Sequence, residues 1–167
     1  MSNHLSSKHM VLSSVVRPFT LLSTWLLTKS ISDIGPGSGE WINLFDKSKV
    51  TKIYGVEPNK DHHAKLRERI IQNALSDIYE IVPVGVEDLD KVADGTKASG
   101  GNGWVRKGEA DCIMTIQCLC SVPEPKAMIA DLYSYLKTGG NWYAYEHVAT
   151  HENLFLSTYQ CKSCRTQ

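Results

Sequence analysis

A chain of 167 residues is long enough for a single domain with a real core, and its apolar (42%) and charged (22%) fractions are those of a globular rather than a disordered protein. Eighteen basic residues balance eighteen acidic ones, with no basic stripe interleaved by aromatics, so nucleic acid is not an expected partner. Five cysteines, an odd count, argue against a secreted disulfide framework and for a reducing, cytoplasmic setting.

From the amino terminus, "VLSSVVRPFTLLSTWLL" (Val11 to Leu27) is apolar at Val11, Val15, Phe19, Leu22 and Leu26, close to helical spacing. It falls short of the ~20 apolar residues of a membrane span and is broken by Arg17-Pro18. It also lacks the uninterrupted apolar run and cleavage site of a signal peptide. Residues 1–29 are expected to form a separate apolar segment with three states open: a helix packed on the domain, an anchor on the surface of an intracellular membrane, or no stable structure.

The chain then alternates. "TKIYGVE" (Thr51 to Glu57) reads as a strand ending in an acid, and Asn59 can cap a helix with Ala64, Leu66, Ile70, Ile71, Ala74 and Leu75 on its apolar face. His62 and His63 are expected on the surface where that helix starts. "YEIVPV" (Tyr79 to Val84) is a second strand, weakened at its end by Pro83, and "ADCIMTIQ" (Ala110 to Gln117) is apolar enough for a strand buried on both faces. A Gly-rich loop fills the space between Ala93 and Glu109. "PEPKAMIADLYSYLKTGG" reads as a helix with prolines at its start, Met128, Ile129, Leu132 and Leu136 on one face, Lys137 in the last turn and Gly139 just beyond. "NWYAYEHV" (Asn141 to Val148) is the next strand. Strand and helix alternating at these lengths predict an α/β sandwich with a mostly parallel, Rossmann-like sheet.

"SDIGPGSGEW" (Ser32 to Trp41) lies between the first strand of this series and a short helix, "EWINLF". Such sheets bind ligands at the carboxyl ends of their strands, and glycine lets a ligand approach the backbone without meeting a Cβ. The dinucleotide fingerprint is G-x-G-x-x-G, whereas Gly35, Gly37 and Gly39 are spaced G-x-G-x-G behind Asp33. An acid there suits a ligand bearing an ammonium group better than a pyrophosphate. Glu57, at the end of the next strand, can accept hydrogen bonds from both hydroxyls of a ribose. A nucleoside with a positively charged tail fits both acids, and S-adenosylmethionine is such a molecule.

The segments "DIGPGSG", "YGVEPN", "VPVGVEDL", "CLCSV" and "LKTGGNWYAYEHV", in that order and spacing, resemble class I S-adenosylmethionine-dependent methyltransferases. They are most similar to the small methyltransferase-like group whose animal members are membrane-associated alkyl thiol methyltransferases, and to its fungal relatives. The likeness runs from about Asp33 to Val148. It implies that Asp33, Gly35, Gly37 and Gly39 hold the methionine part of the cofactor and that Glu57 holds the ribose. It places Glu87 and Asp88 near the adenine amine, and Gln117 and Cys118 beside the cofactor's amino group. Gly139 and Gly140 match a structural turn. The acceptor implied is a small molecule, an alkyl thiol within this group; His147 at the end of the last strand is the one candidate base, with a histidine that orients the backbone as the alternative.

Two features depart from that family. Ser30 and Ser32 stand where an apolar first strand is expected, and "ATHENLFLSTYQCKSCRTQ" does not resemble the family's last helix and two strands. The expected organisation is therefore an apolar segment (1–29), a cofactor-binding methyltransferase domain (30–148) and an atypical tail (149–167), with the last strand left as an exposed apolar edge. A truncated, non-catalytic cofactor-binding fragment and an NAD-dependent oxidoreductase remain alternatives. His147, His151, Cys161 and Cys164 have pairwise spacings that zinc could use, but in an order unlike common fingers, and no metal is expected. Cys118 and Cys120 read as buried structural thiols on one face of an extended segment.

Overall fold

The structure, a computed structural model, describes residues 9–12, 28–89, 105–122 and 124–146. Six strands and two α-helices follow in chain order: β1 (His9–Leu12), β2 (Thr28–Ile34), β3 (Val50–Val56), α1 (Lys60–Gln72), β4 (Tyr79–Val82), β5 (Ala110–Ile116), α2 (Pro125–Tyr135) and β6 (Leu136–Tyr145). Short 3₁₀ turns at Ile42–Leu44, Val86–Asp88 and Leu119–Ser121 follow β2, β4 and β5.

The strands form one sheet in the order β1-β6-β5-β2-β3-β4, and every pair is parallel. From β2 the chain winds outward through β3 to β4, then returns to the other side of β2 to lay down β5 and β6. The winding reverses between β2 and β5, which opens a crevice at their carboxyl ends. Both faces of the sheet are covered. Leu66 and Ile70 of α1 pack with Ile31, Ile53 and Met114 on one face, while Leu132 and Tyr135 of α2 pack with Val56, Ile113 and Trp142 on the other. In β5 every residue but Asp111 is buried, as the continuous apolar run requires.

Ser30 of β2 is accounted for by the neighbouring strands. Ser30 donates both its backbone N–H and its hydroxyl to Asp111 Oδ2, each at 3.0 Å, and Lys137 of β6 pairs with the other oxygen of the same carboxylate. The polar cluster stitches three strands at their amino-terminal ends, opposite the crevice. Ser32 is buried, and a small side chain suits the packed face it occupies.

Several elements differ from expectation. Asn59 caps α1 as expected, its side-chain oxygen accepting the Asp61 N–H, but the buried face of the helix is His63, Leu66 and Ile70. Ile71 is 69% exposed, and Ala64 and Ala74 also face solvent. The second helix ends at Tyr135 rather than beyond Lys137, because Leu136 already pairs with Ala110 in the sheet. Regular pairing resumes at Cys112 with Asn141, so residues 137–140 form an irregular excursion within β6 instead of a helix cap.

The amino-terminal segment also departs from its expected form. Val11 and Leu12 belong to β1, which pairs with β6 from His9 with Asn141 to Leu12 with Ala144. Residues 13–27 lie outside the described residues. β6 is therefore an interior strand rather than an exposed edge, and the aggregation hazard expected of it is covered by β1.

Tyr79 opens β4, and its ring lies back across β3 at Gly55. A Cβ at Gly55 would stand 2.5 Å from Tyr79 Cε1 and 2.7 Å from Cζ, in a buried site with no room to yield. Gly55→Ala should lower unfolding free energy by about 1–3 kcal/mol, the usual cost of overpacking. Unchanged denaturant midpoints would show that the ring is free to move.

Candidate functional site

The crevice is a cleft of about 480 Å³ over the carboxyl ends of β2, β3 and β5. Gly35 and Gly37 form one wall, Glu57, Asn59 and His62 a second, Val86 and Glu87 a third, and Gln117, Cys118 and Met128 a fourth. The glycine loop turns through left-handed backbone, with φ of 64° at Gly35 and 57° at Gly37, which L side chains rarely adopt. Gly35 also carries a packing requirement: a Cβ there would approach Cys118 Cβ to 2.6 Å. Loop and β5 terminus are thus in direct contact.

One carboxylate holds this geometry. Glu57 is only 6% exposed. Its Oε2 accepts the Gly37 N–H at 2.9 Å and its Oε1 the Asn59 N–H at 2.9 Å. The backbone carbonyl of Glu57 accepts from Nε2 of His63 at 2.8 Å. A carboxylate has about four acceptor positions, and two backbone donors leave capacity for ligand hydroxyls. Above the loop, Ser38 Oγ shares a hydrogen bond with His62 Nδ1 at 3.1 Å, and Arg69 donates to the Ser38 carbonyl and to Glu40. His63 is therefore a buried strut and His62 a cleft residue, not the surface pair expected.

Asp33 lies beneath the cleft rather than in its wall. It is 5% exposed, and its Oδ2 accepts from the Tyr79 hydroxyl at 2.8 Å. Burial pushes its carboxyl up to about 7, the Tyr79 hydrogen bond opposes that rise, and the charge of Glu57 adds to it. The same burial raises the Tyr79 hydroxyl well above its ordinary value and the Cys112 thiol to about 12, with Asp33 contributing to both.

At the other side of the loop, Cys118 and Leu119 present backbone N–H groups to Glu146, at 3.4 Å to Oε1 and 3.2 Å to Oε2. The Cys118 thiol points at the same carboxylate, 3.6 Å from Oε1. Burial and then the Glu146 charge hold that thiol far above the ordinary thiol range. Gln117 takes a left-handed φ of 52°, and its N–H donates to the Tyr145 carbonyl, which turns the chain out of the sheet. Cys118 precedes a 3₁₀ turn that contains Cys120, rather than both lying on an extended segment, the first half-buried and the second exposed.

Of the residues singled out in the sequence, Gly35, Gly37, Glu57, Glu87, Gln117 and Cys118 line the cleft together. Gly39 packs behind the loop against Leu66 and Ile42, and neither it, Asp33 nor Asp88 lines the cleft. His147 lies outside the described residues, as do His151, Cys161 and Cys164. Among the described residues no group of three potential metal ligands converges, and no helix is long and apolar enough to cross a membrane. Glu146, His62 and Tyr79 had no signal in the sequence, because each acts through a partner distant in the chain.

The position of Asp33 gives a pH signature. An acid whose folded pKa exceeds its unfolded value stabilises the fold in its protonated form. That contribution is complete below the unfolded value of 3.8 and is lost as pH rises through about 7. Relative to Asp33→Asn, the natural chain should lose stability steadily from about pH 4 to about pH 7. Parallel stability curves for the two would show that Asp33 stays charged in the fold.

The sequence pattern of a methyltransferase domain matches residues 19–161. No curated protein sequence matches the chain. Among solved structures, a candidate S-adenosyl-L-methionine-dependent methyltransferase of Methanococcus maripaludis superposes with a TM-score of 0.60 at 19% identity, over 89% of this chain and 61% of that one. The YcgJ protein of Bacillus subtilis gives 0.62 at 14% identity, over 85% and 54% of the two chains. Phosphoethanolamine N-methyltransferase 2 of Haemonchus contortus, in complex with phosphomonomethylethanolamine and S-adenosylhomocysteine, gives 0.66 at 15% identity, over 89% and 31%. The chain thus spans less than two thirds of the length of each structure, and the likeness is one of fold. With the matched pattern covering most of its length and the sheet and crevice in that arrangement, the chain belongs to the methyltransferase-domain family.

Proposed function

We propose that the chain binds S-adenosylmethionine in this cleft and directs its methyl group to a small-molecule nucleophile, with an alkyl thiol as the acceptor class. The observation that carries the cofactor reading is Glu57: a buried carboxylate at the end of β3, facing a loop whose glycines leave the backbone open, with acceptor capacity beyond its two internal bonds. The residues fit the group. Gly35 and Gly37 give the methionine portion close approach, Glu57 accepts from the ribose hydroxyls, and the exposed Glu87 carboxylate accepts from the adenine amine. The complexes of the Haemonchus enzyme with S-adenosylhomocysteine and with S-adenosyl-L-methionine support the choice of cofactor within this fold.

When bound, the cofactor supplies a methyl group already activated by its sulfonium. The work left to the protein is alignment and exclusion of water. Glu146 fixes the turn at Cys118 and Leu119, and so fixes the wall against which the reacting end is held. A thiol acceptor, with an ordinary pKa of about 8.5, needs only a modest base to supply its thiolate. His147 is the residue assigned to that role. Asp33, buried and bonded to Tyr79, tunes the floor of the cleft electrostatically instead of touching the ligand.

Calorimetry with S-adenosylhomocysteine tests the cofactor, and transfer of a radiolabelled methyl group to a panel of alkyl thiols tests the acceptor. Removing Glu57 deletes charge-assisted hydrogen bonds worth about 1.5–3 kcal/mol each, so Glu57→Ala should bind S-adenosylhomocysteine at least about tenfold more weakly. Unchanged affinity would remove the ribose assignment. A larger thermal shift with NAD than with S-adenosylhomocysteine would favour an oxidoreductase. Binding without transfer to any thiol would leave a cofactor-binding module.

A further inference from the structure

Beside the cleft, between the Val86–Asp88 turn and the first turns of α2, lies a second hollow of about 350 Å³. That volume is within the ~300–1,000 Å³ of small-molecule sites. The two hollows are not separate: Val86, Glu87, Val122 and Met128 line both. Beyond this shared wall, Glu124, Ala127 and Asp131 line the second hollow only, the Asp131 carboxylate paired to Lys107 at 3.0 Å. The shared surface is apolar except for Glu87.

We propose that this annex is a subsite for an apolar group attached to the exocyclic nitrogen of the adenine, so that the cleft accepts adenosine cofactors and inhibitors substituted at that nitrogen. The inference rests on the cofactor reading above, and its chemistry follows from Glu87. Ribose at Glu57 directs the purine away from the glycine loop and toward Val86 and Glu87. A group passing Glu87 from the cleft enters the annex, because that residue borders both. A singly substituted amine keeps one N–H for the Glu87 carboxylate while its substituent turns onto Val86, Val122 and Met128. A doubly substituted amine has no N–H left to donate, and it leaves the carboxylate without its partner.

The probes are S-adenosylhomocysteine, its N6-benzyl derivative and its N6,N6-dimethyl derivative, measured by calorimetry on the full chain. The benzyl derivative should bind within about threefold of the parent or tighter, through burial of the ring, and the smaller dimethyl derivative about tenfold more weakly. Ala127→Trp fills the annex from a position outside the cleft. It should leave parent affinity within about twofold and weaken the benzyl derivative at least about tenfold. Parent binding by the variant also verifies that it is folded. A natural chain that binds the parent but loses the benzyl derivative tenfold overturns the annex and leaves the cofactor reading intact. Equal effects of Ala127→Trp on both ligands overturn it as well. Failure of the natural chain to bind the parent overturns the cofactor reading, and the annex with it.

Discussion

The site depends on one buried carboxylate serving three pieces of chain. Glu57 closes β3, accepts from the glycine loop at Gly37 and from the start of α1 at Asn59, and offers its own carbonyl to His63 one turn into that helix. A left-handed glycine loop has little of its own to hold its shape, since it gives up both side chains and backbone restriction. Tying it through a charged acceptor to the adjoining strand converts that freedom into a defined cradle. The residue that gives the loop its shape also lines the cleft, so loop order and the ligand binding proposed above would be coupled through the same atoms.

Beneath the cradle sits a second acid whose role is opposite in kind. Asp33 has lost its water, keeps one hydrogen bond from Tyr79, and feels the charge of Glu57 through a low-dielectric interior. Two carboxylates so placed cannot both be charged without cost. The one with backbone donors faces the cleft, and the one with a phenol partner is driven toward neutrality. Tyr79 is in turn locked by Gly55, whose missing side chain makes room for the ring. The floor of the site is thus built from β2, β3 and β4 together, which explains why the loop cannot be understood from its own sequence.

That contrast marks what the sequence could reveal. The glycine loop, Glu57, the Asn59 cap and the run of β5 were legible because each rests on neighbours within a few residues: spacing, an acid at a strand end, a capping side chain, continuous apolarity. The partner of Asp33 lies 46 residues away, and Glu146 reaches its turn across 28. No local pattern encodes such pairs. β1 escaped notice because a four-residue strand has no period to read, and the apolar spacing that follows it pointed to a helix. His63 was misplaced by a small rotation of α1, which turned Ile71 outward and put the imidazole under Glu57. Ser30 looked foreign to a buried strand until Asp111 of β5, itself paired with Lys137 of β6, supplied its partner.

Under the proposed function, the opposite wall raises a problem of its own: a thiol beside the methyl group to be transferred. Cys118 lines the cleft beside Gly35, and a thiolate there would be a better nucleophile than most acceptors. Its surroundings counter this. Burial removes the water a thiolate needs, and the Glu146 carboxylate beside it opposes a second negative charge, so the thiol is held in its unreactive, protonated form. The same carboxylate collects the backbone donors of Cys118 and Leu119, so the geometry of the wall and the silence of its thiol have one source. Moving Glu146 would disturb both together. An acceptor thiol of the proposed class, entering from solvent, would meet neither constraint. Under the proposed function, discrimination between the protein's own sulfur and a substrate's would rest on hydration and charge, with no difference in intrinsic reactivity required.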